Sequence, residues 1–359
     1  MVVIHVSDIH LGANPDSDKP WSLDRGYDIK ESFENVIRRC NELKCNLLLI
    51  SGDLFNKQPL ASDLNEVNEL FKSIPDTKVI IIAGNKDCIK ENSSILSYNF
   101  STNVHYIFSE FPTDYEISEL NTVIHGFSYH SPEITRPLVD TIENPKNDNK
   151  IHILIAHGGD INHCPIDWTL LANKNFTYCA LGHKHKFEEV VKNKIVYSGC
   201  LEPLSIDETG DHGIVVAEIH SITHRLESLR FEPMAKSSYI QLNVSISENT
   251  TNEELNQIIS NELFKKNSNN IYRIKLTGDR NPNLDFDFTD LNKNFKIIEI
   301  DDESVPKYDF VELSKQHPND MIGAFVRSFD CENMDNMSII QKKALYYGIN
   351  ALMKTINKE

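Results

Sequence analysis

The first part of the chain alternates between short apolar runs and segments with helical periodicity. Aliphatic side chains dominate residues 2–7, 47–50 and 78–83, and turn residues bound these runs, as is typical of buried strands. Between the runs, apolar residues recur every three or four positions, which predicts helices over about 30–44 and about 62–74. A strand–helix–strand–helix–strand order indicates a largely parallel sheet covered by helices.

The segment between the first strand and the first predicted helix lacks this periodicity. Residues 13–28 are polar and include Pro15, Pro20 and Gly26, which favour turns and irregular structure. We therefore expect a loop over the surface in this part of the chain.

Further apolar runs continue the strand pattern toward residue 230. Two of them, 151–156 and 178–181, are fully apolar, and polar or histidine-containing turns follow them. Shorter runs predict additional strands at 104–108, 114–118, 122–126, 187–191, 194–198, 213–219 and 225–231. The last four have an antiparallel character, which indicates a mixed sheet. The predicted fold class is therefore an α/β sandwich of two packed sheets with helices outside.

The length and a change in composition predict more than one domain. A chain of 359 residues is too long for one ordinary core, and the change in composition at residues 233–238 indicates a linker. We expect a first domain over 1–232, a small α/β domain over 237–302 and a helical region over 303–359, where the apolar pattern is helical.

The lack of recognisable targeting signals and the scattered cysteines indicate a cytoplasmic protein without a membrane span. No apolar run reaches transmembrane length, and the N-terminus lacks the features of a signal peptide. The seven cysteines are scattered and form no C-x-x-C pair. We therefore expect reduced thiols, rather than disulfides or a structural zinc site.

The charge of the chain restricts the ways in which it can meet nucleic acid. A formal net charge of −17 argues against a protein that coats nucleic acid by charge alone, because such binding requires Lys and Arg to displace counterions. It does not exclude a nucleic-acid enzyme, because bound divalent ions invert the local field and a basic partner can supply phosphate contacts.

Polar side chains lie just beyond the ends of several predicted strands. Seven of them offer a carboxylate, amide or imidazole group: Asp8, His10, Asp53, Asn85, His157, His183 and His185. Ligand sites in open α/β sheets form at the carboxyl ends of strands. Asp53 ends a buried strand with a charge that needs a partner, and we expect it to bridge two metal ions.

The donor set suits two divalent ions. Oxygen and imidazole ligands without thiolate favour manganese, with iron or magnesium as alternatives. Two ions about 3.5–4 Å apart clamp the attacking and leaving oxygens of a phosphoryl displacement. Each piece alone has an ordinary explanation, such as a turn for Gly52-Asp53 or surface imidazoles for His183 and His185. The conjunction of five motifs, each following a predicted strand, is what favours a metal centre.

In these motifs the chain resembles the calcineurin-like metallophosphoesterases, whose pattern is D-x-H, G-D, G-N-H-D/E, H and G-H-x-H. Within them it looks most like the SbcD- and YhaO-like DNA double-strand-break repair nucleases. The closer resemblance rests on residues 7–12, 32–36, 48–55 and 197–199. It is specific over residues 1–230 and loose thereafter.

The resemblance implies a division of the ligands between two ions. One ion would be held by Asp8, His10, Asp53 and His185, and the other by Asp53, Asn85, His157 and His183. It also implies hydrolysis of a phosphodiester by metal-activated water. Residues 237–302 would form a capping domain, helices of the nuclease domain would form a homodimer, and the partner would be an SMC-like ATPase similar to SbcC.

One residue departs from the family pattern. The third motif reads Gly84-Asn85-Lys86-Asp87, with Lys86 where the family has histidine. In the family this histidine lies over the scissile phosphate and helps the leaving group. Lysine, with a reference pKa of about 10.4, can stabilise an anion but is a poor acid unless it is desolvated. We expect Lys86 and Asp87 to act in catalysis, with a rate reduced by Lys86.

Three functions follow from this reading. The first is a two-metal DNA exonuclease or endonuclease, which the capping domain and helical tail favour because a small-molecule enzyme needs neither. The second is a phosphodiesterase for small nucleotides or a phosphatase. The third is a DNA-end clamp or scaffold for an SMC-like ATPase, in which Lys86 weakens catalysis.

Overall fold

The chain forms two units in the computed structural model, which describes residues 1–329 and 331–356. The first unit comprises Met1–Ile240 with Asn269–Ile271, and the second comprises the described residues of Gln241–Ser268 and Tyr272–Glu359. The second unit includes most of the predicted capping domain together with the predicted helical region. The separation of those two parts stays a prediction.

Two mixed six-stranded sheets form the centre of the first unit. The strands in chain order are β1 (Val2–Val6), β2 (Leu47–Ser51), β3 (Lys78–Ile82), β4 (Val104–Ile107), β5 (Thr113–Ile117), β6 (Thr122–Gly126), β7 (Ile151–His157), β8 (Tyr178–Gly182), β9 (Glu188–Val191), β10 (Ile195–Tyr197), β11 (Gly213–Ile219) and β12 (Leu226–Pro233). The helices of this unit are α1 (Ser22–Leu43), α2 (Ala61–Lys72), α3 (Leu138–Thr141) and α4 (Trp168–Asn173).

Each of the two sheets contains four parallel strands, whose carboxyl ends lie at one edge of that sheet. The first sheet has the order β12-β11-β1-β2-β3-β4, and β1 to β4 are parallel. The second has the order β5-β6-β7-β8-β10-β9, with β6, β7, β8 and β10 parallel. The predicted antiparallel strands pair as β9–β10 and β11–β12, but the two pairs belong to different sheets.

Burial on both faces explains the continuous apolar runs. In β2, Leu48 and Ile50 belong to the core that includes apolar residues of α1 and α2, whereas Leu47 and Leu49 belong to the core shared with the second sheet. A third core contains residues of α3 and α4 with the other face of the second sheet. A strand between two cores has no polar face, so its sequence shows no alternation. The predicted two-sheet sandwich flanked by helices is confirmed.

The prediction of a loop over residues 13–28 is wrong in its second half. Helix α1 begins at Ser22, and Arg25 and Asp28 lie on its buried side, so the apolar periodicity that predicts a helix is absent from its first turns. The Arg25 guanidinium is fully buried, lying 3.2 Å from the Asp28 carboxylate and 3.3 Å from that of Glu202. This buried ion network gives the first turns of α1 a polar inner face that periodicity cannot detect.

The second unit contains most of one four-stranded sheet and a helical cluster. Its strands are β13 (Tyr239–Ile246), β14 (Ile271–Arg280), β15 (Ile297–Asp302) and β16 (Val305–Pro306). Its helices are α5 (Asn252–Phe264), α6 (Thr289–Asn294), α7 (Phe310–Gln316), α8 (Met321–Arg327) and α9 (Ile339–Ile356). Phe310, Ile322 and Leu345 join α7, α8 and α9 in one apolar core. None of the described helices is long and apolar enough to cross a membrane.

Candidate metal centre

Hydrogen bonds hold the loops after β1 and β2 against each other. The backbone N–H groups of Asp8 and His10 donate to the carbonyls of Gly52 and Asp53 at 3.1 and 3.0 Å. β1 and β2 are parallel neighbours, so their carboxyl ends lie at the same edge of the sheet. The first two sequence motifs therefore meet through their backbones as well as through their side chains.

Several candidate ligands have left-handed backbones, which is uncommon for residues other than glycine. The φ angles are 50° at Asp8, 53° at His10, 50° at Asp53 and 99° at His183. Such conformations cost on the order of 1–3 kcal/mol each and persist only where the surroundings hold them. Their concentration in these turns indicates a site in which side-chain direction outweighs backbone preference.

Two glycines allow the loops to approach closely. A Cβ atom on Gly52 would lie 2.4 Å from Nδ1 of His157, and one on Gly84 would lie 2.3 Å from Oδ1 of Asp53. Neither position can hold a side chain without displacing a candidate ligand. The glycines of the G-D and G-N motifs are therefore needed for packing as well as for turning.

The first group of candidate ligands converges on one point. Nε2 of His10 lies 3.2 Å from Nε2 of His185, 4.0 Å from Oδ1 of Asp8 and 3.9 Å from Oδ2 of Asp53. Nε2 of His185 lies 3.8 Å from the same Asp8 oxygen. Four donor atoms on three loops thus face a common centre.

The two oxygens of Asp8 have different environments. Oδ2 accepts hydrogen bonds from the Ser7 hydroxyl at 2.6 Å and from the His183 backbone N–H at 2.9 Å. Oδ1 is buried and has no hydrogen-bond partner among the described residues. A buried carboxylate oxygen without a partner is costly, and a cation at this point would satisfy it. These residues therefore fit a divalent ion.

The second group is organised around His157. Its Nδ1–H donates to the Ser51 carbonyl at 2.9 Å, so neutral His157 presents a lone pair on Nε2. That nitrogen lies 2.9 Å from Oδ1 of Asn85 and 3.6 Å from Oδ2 of Asp53. Three acceptor atoms face one another, which again suits a cation.

Asp53 connects the two groups. Its Oδ1 accepts a hydrogen bond from the Lys86 backbone N–H at 2.8 Å, while Oδ2 faces both His10 and His157. Burial raises the pKa of Asp53 to about 7, and the charge of Asp8 adds to this. Two nearby carboxylates repel each other unless positive charge lies between them. The geometry therefore supports a bridging role for Asp53.

The imidazoles differ in their electrostatics. Burial lowers the pKa of His10 to about 4, so this ring is neutral at neutral pH and able to ligate a metal. Burial would also lower the pKa of His185, but its hydrogen bond to Glu208 and the charge of Asp8 raise it to about 9. The carboxylates around His185 thus favour its protonated form.

Among the described residues, the only side-chain hydrogen bond of His183 is to a residue outside both ligand groups. Its ring centroid lies 5.2 Å from that of His157, but its Nε2–H donates to Oδ2 of Asp160 at 2.6 Å. Its partner Asp160, like Glu208 beside His185, was absent from the sequence prediction. Neither carboxylate belongs to a recognisable motif, and Glu208 lies far from its histidine along the chain.

The structure gives Lys86 and Asp87 different surroundings. The Lys86 side chain is exposed, whereas Asp87 is buried and accepts hydrogen bonds from the backbone N–H groups of Gly84 and Phe55 at 2.8 and 3.2 Å. No ion pair joins the two side chains within the described part of the chain. Asp87 holds the loop that carries Asn85, and catalytic roles for Lys86 and Asp87 stay predictions.

The fold and the donor set define a class of protein. The profile of the calcineurin-like phosphoesterase family matches residues 1–187, and the chain belongs to this family. Among its relatives, "DNA double-strand break repair protein Mre11" of Methanocaldococcus jannaschii is 29% identical over 237 residues, which is 59% of this chain and 59% of that protein.

Two further relatives match shorter or weaker stretches. The protein of the same name from Aeropyrum pernix is 36% identical over 83 residues, covering 23% of this chain and 19% of that protein. "Uncharacterized metallophosphoesterase YhaO" of Bacillus subtilis is 24% identical over 249 residues, covering 61% and 57%. The chain thus spans less than two thirds of the length of each of these relatives.

We predict that Asp53→Asn removes one or both divalent ions, because one oxygen of Asp53 faces both ligand groups. His157→Ala should remove mainly one ion, because its Nε2 lies in only one group. Metal analysis of each purified variant after loading with Mn²⁺ gives the stoichiometry, and circular dichroism checks that the fold is kept. Two full equivalents bound to Asp53→Asn would contradict the bridging assignment.

Proposed function

We propose that this chain is a two-metal-dependent DNA nuclease that hydrolyses phosphodiester bonds. The observation that carries the proposal is the position of Asp53, whose Oδ2 lies 3.9 Å from Nε2 of His10 and 3.6 Å from Nε2 of His157. One carboxylate oxygen between two sets of nitrogen and oxygen donors is the arrangement that two adjacent ions require. Mn²⁺ is the proposed metal, since no thiolate is among the proposed ligands.

The chain's own residues have distinct tasks in this proposal. Two bound divalent ions would activate water and neutralise charge on the phosphate. One oxygen of Asp8 accepts a hydrogen bond from Ser7, and the other faces the centre of the first ligand group. The direction of the Asp8 carboxylate is therefore fixed. Asp87 fixes the turn that presents Asn85 and Lys86. The exposed ammonium of Lys86 would meet negative charge on the phosphate or the leaving group in this proposal.

DNA is the proposed substrate because of the relatives and the resemblance. The names of the Methanocaldococcus jannaschii and Aeropyrum pernix relatives refer to DNA double-strand break repair. The net charge of −17 opposes binding of a polyanion by the chain alone. We therefore propose that a dimer or a partner supplies most of the phosphate contacts.

Two partners are proposed, a second copy of this chain and an SMC-like ATPase. Leu23 and Tyr27 of α1 and Leu60 before α2 expose 69%, 72% and 65% of their surface, which supports a homodimer through these helices. On α9, Ile339 and Ile340 are also exposed, which supports this helix as a docking site for the ATPase. These surfaces belong to different units of the chain.

A second candidate function is a DNA-end clamp with weak catalysis. Lys86 favours it, because a lysine in place of the family's histidine is a poor proton donor at neutral pH. The metal centre and the partner surfaces would then serve binding rather than rapid hydrolysis.

A substrate comparison separates these functions. We expect the Mn²⁺-loaded protein to cleave fluorescent duplex DNA ends faster than it cleaves a nucleotide phosphodiester or an aryl phosphate. Asp53→Asn should abolish the DNA reaction and serves as the control for contaminating nuclease. Faster turnover of the nucleotide would favour a small-molecule phosphodiesterase. Tight binding to DNA ends without metal-dependent cleavage would favour the clamp.

The role of Lys86 is tested by Lys86→His. An alkoxide leaving group, as in DNA, needs a proton, whereas a good aryl leaving group does not. We expect the change to raise turnover on DNA more than on an aryl phosphodiester, by up to roughly 10²–10⁴-fold. Lys90→His, an exposed lysine of the following segment, is the matched control. Equal or absent changes on both substrates would contradict a proton-donating role for residue 86.

A further inference from the structure

Two carboxylates outside the proposed ligand set contact the two histidines of the last motif. Oδ2 of Asp160 accepts a hydrogen bond from Nε2–H of His183 at 2.6 Å. Oε1 of Glu208 accepts one from Nδ1–H of His185 at 2.9 Å. The two histidines are one residue apart, yet each has its own carboxylate, and the carboxylates come from different loops.

The contact with Glu208 determines which nitrogen of His185 is free. A carboxylate accepts only, so Nδ1 carries a proton, and Nε2 is the nitrogen left to bind an ion. Nε2 is also the atom that lies 3.2 Å from Nε2 of His10 and 3.8 Å from Oδ1 of Asp8. Glu208 is itself fixed, because its Oε2 accepts a hydrogen bond from the Leu204 backbone N–H at 2.7 Å.

The contact with Asp160 has the opposite consequence for His183. Here Nε2 carries the proton, so Nδ1 is the nitrogen left to ligate. Oδ1 of Asp160 accepts hydrogen bonds from the backbone N–H groups of Asn162 and His163 at 2.8 and 3.0 Å. The carboxylate is therefore held before any ligand arrives, and it holds the ring of His183 in turn.

We propose that Asp160 and Glu208 are positioning residues, one for each metal ion of the proposed nuclease, and that they make His183 and His185 ligate through different ring nitrogens. The proposal rests on the two-metal function argued above. A carboxylate on the far nitrogen of a ligating histidine fixes the tautomer and the ring orientation, and its loss typically weakens metal affinity by 10–100-fold. Asp160 thus serves the ion of His157, and Glu208 serves the ion of His10.

The test is Mn²⁺ binding by the full-length chain, measured by calorimetry and by electron paramagnetic resonance. Asp160→Asn and Glu208→Gln keep the size of each side chain and an oxygen that can accept a hydrogen bond, but they remove the charge. We expect each to weaken one of the two ions by about 10–100-fold and to leave the other unchanged. Glu188→Gln, an exposed acid paired with Lys184 between the two histidines, is the matched control and should bind both ions normally.

A second background identifies which ion each carboxylate serves. In His157→Ala, which is expected to retain mainly the ion of His10 and His185, adding Glu208→Gln should weaken the remaining ion. Adding Asp160→Asn to the same background should leave it unchanged. The opposite result, or equal weakening by both changes, would overturn the assignment of one carboxylate to each ion. Thermal unfolding of each variant excludes loss of the fold as the cause.

Histidine nitrogen resonances give a readout that a purely structural role would not produce. In protein labelled with ¹⁵N-histidine and loaded with Zn²⁺, the metal-bound nitrogen should be Nδ1 in His183 and Nε2 in His185. Ligation of both rings through the same nitrogen would overturn the proposal. Wild-type protein that binds fewer than two ions would overturn the proposed function as well. Two ions in the wild type with unchanged affinities in both variants would overturn only the positioning role.

Discussion

The structure depends on the placement of two buried carboxylates, Asp8 and Asp53, at the carboxyl ends of neighbouring parallel strands. Both are almost fully buried, and their mutual repulsion contributes to the raised pKa of Asp53. Left-handed turns, hydrogen bonds between the two loops and the absence of a side chain at Gly52 all serve to hold this arrangement. A cation at this point would compensate for the buried negative charge of both carboxylates.

Much of the fold was predictable because a strand that is buried on both faces has a continuous apolar sequence. The run from Leu47 to Ile50 is uninterrupted because its side chains enter two different cores. The start of α1 was missed for the converse reason, since Arg25 and Asp28 face inward and pair with each other and with Glu202. An inner face built from ions has no apolar periodicity. Likewise, local patterns placed β9 to β12 but could not assign them to two sheets, because pairing depends on distant partners.

The candidate site also has a part that the sequence predicted and a part that it did not. The seven expected ligands lie at or just beyond strand ends, so strand order indicated that they would converge, whereas their division into two groups was implied by the family resemblance. His183 lies beside these groups, and no motif indicated that its Nε2 would bond to Asp160. Glu208 reaches His185 from a loop 23 residues away in the chain, a contact that only the folded loops determine. Residues that hydrogen-bond to ligands are harder to predict from sequence than the ligands themselves, because loop geometry determines where these supporting residues fall in the chain.

We propose that Asp53 lies between two metal ions. Anomalous diffraction at the manganese edge, from crystals of the protein grown with Mn²⁺, tests this directly. We expect two anomalous peaks about 3.5–4 Å apart, one on each side of the Asp53 carboxylate, with His10 and His157 at different peaks. A single peak, or two peaks that do not share Asp53, would contradict it.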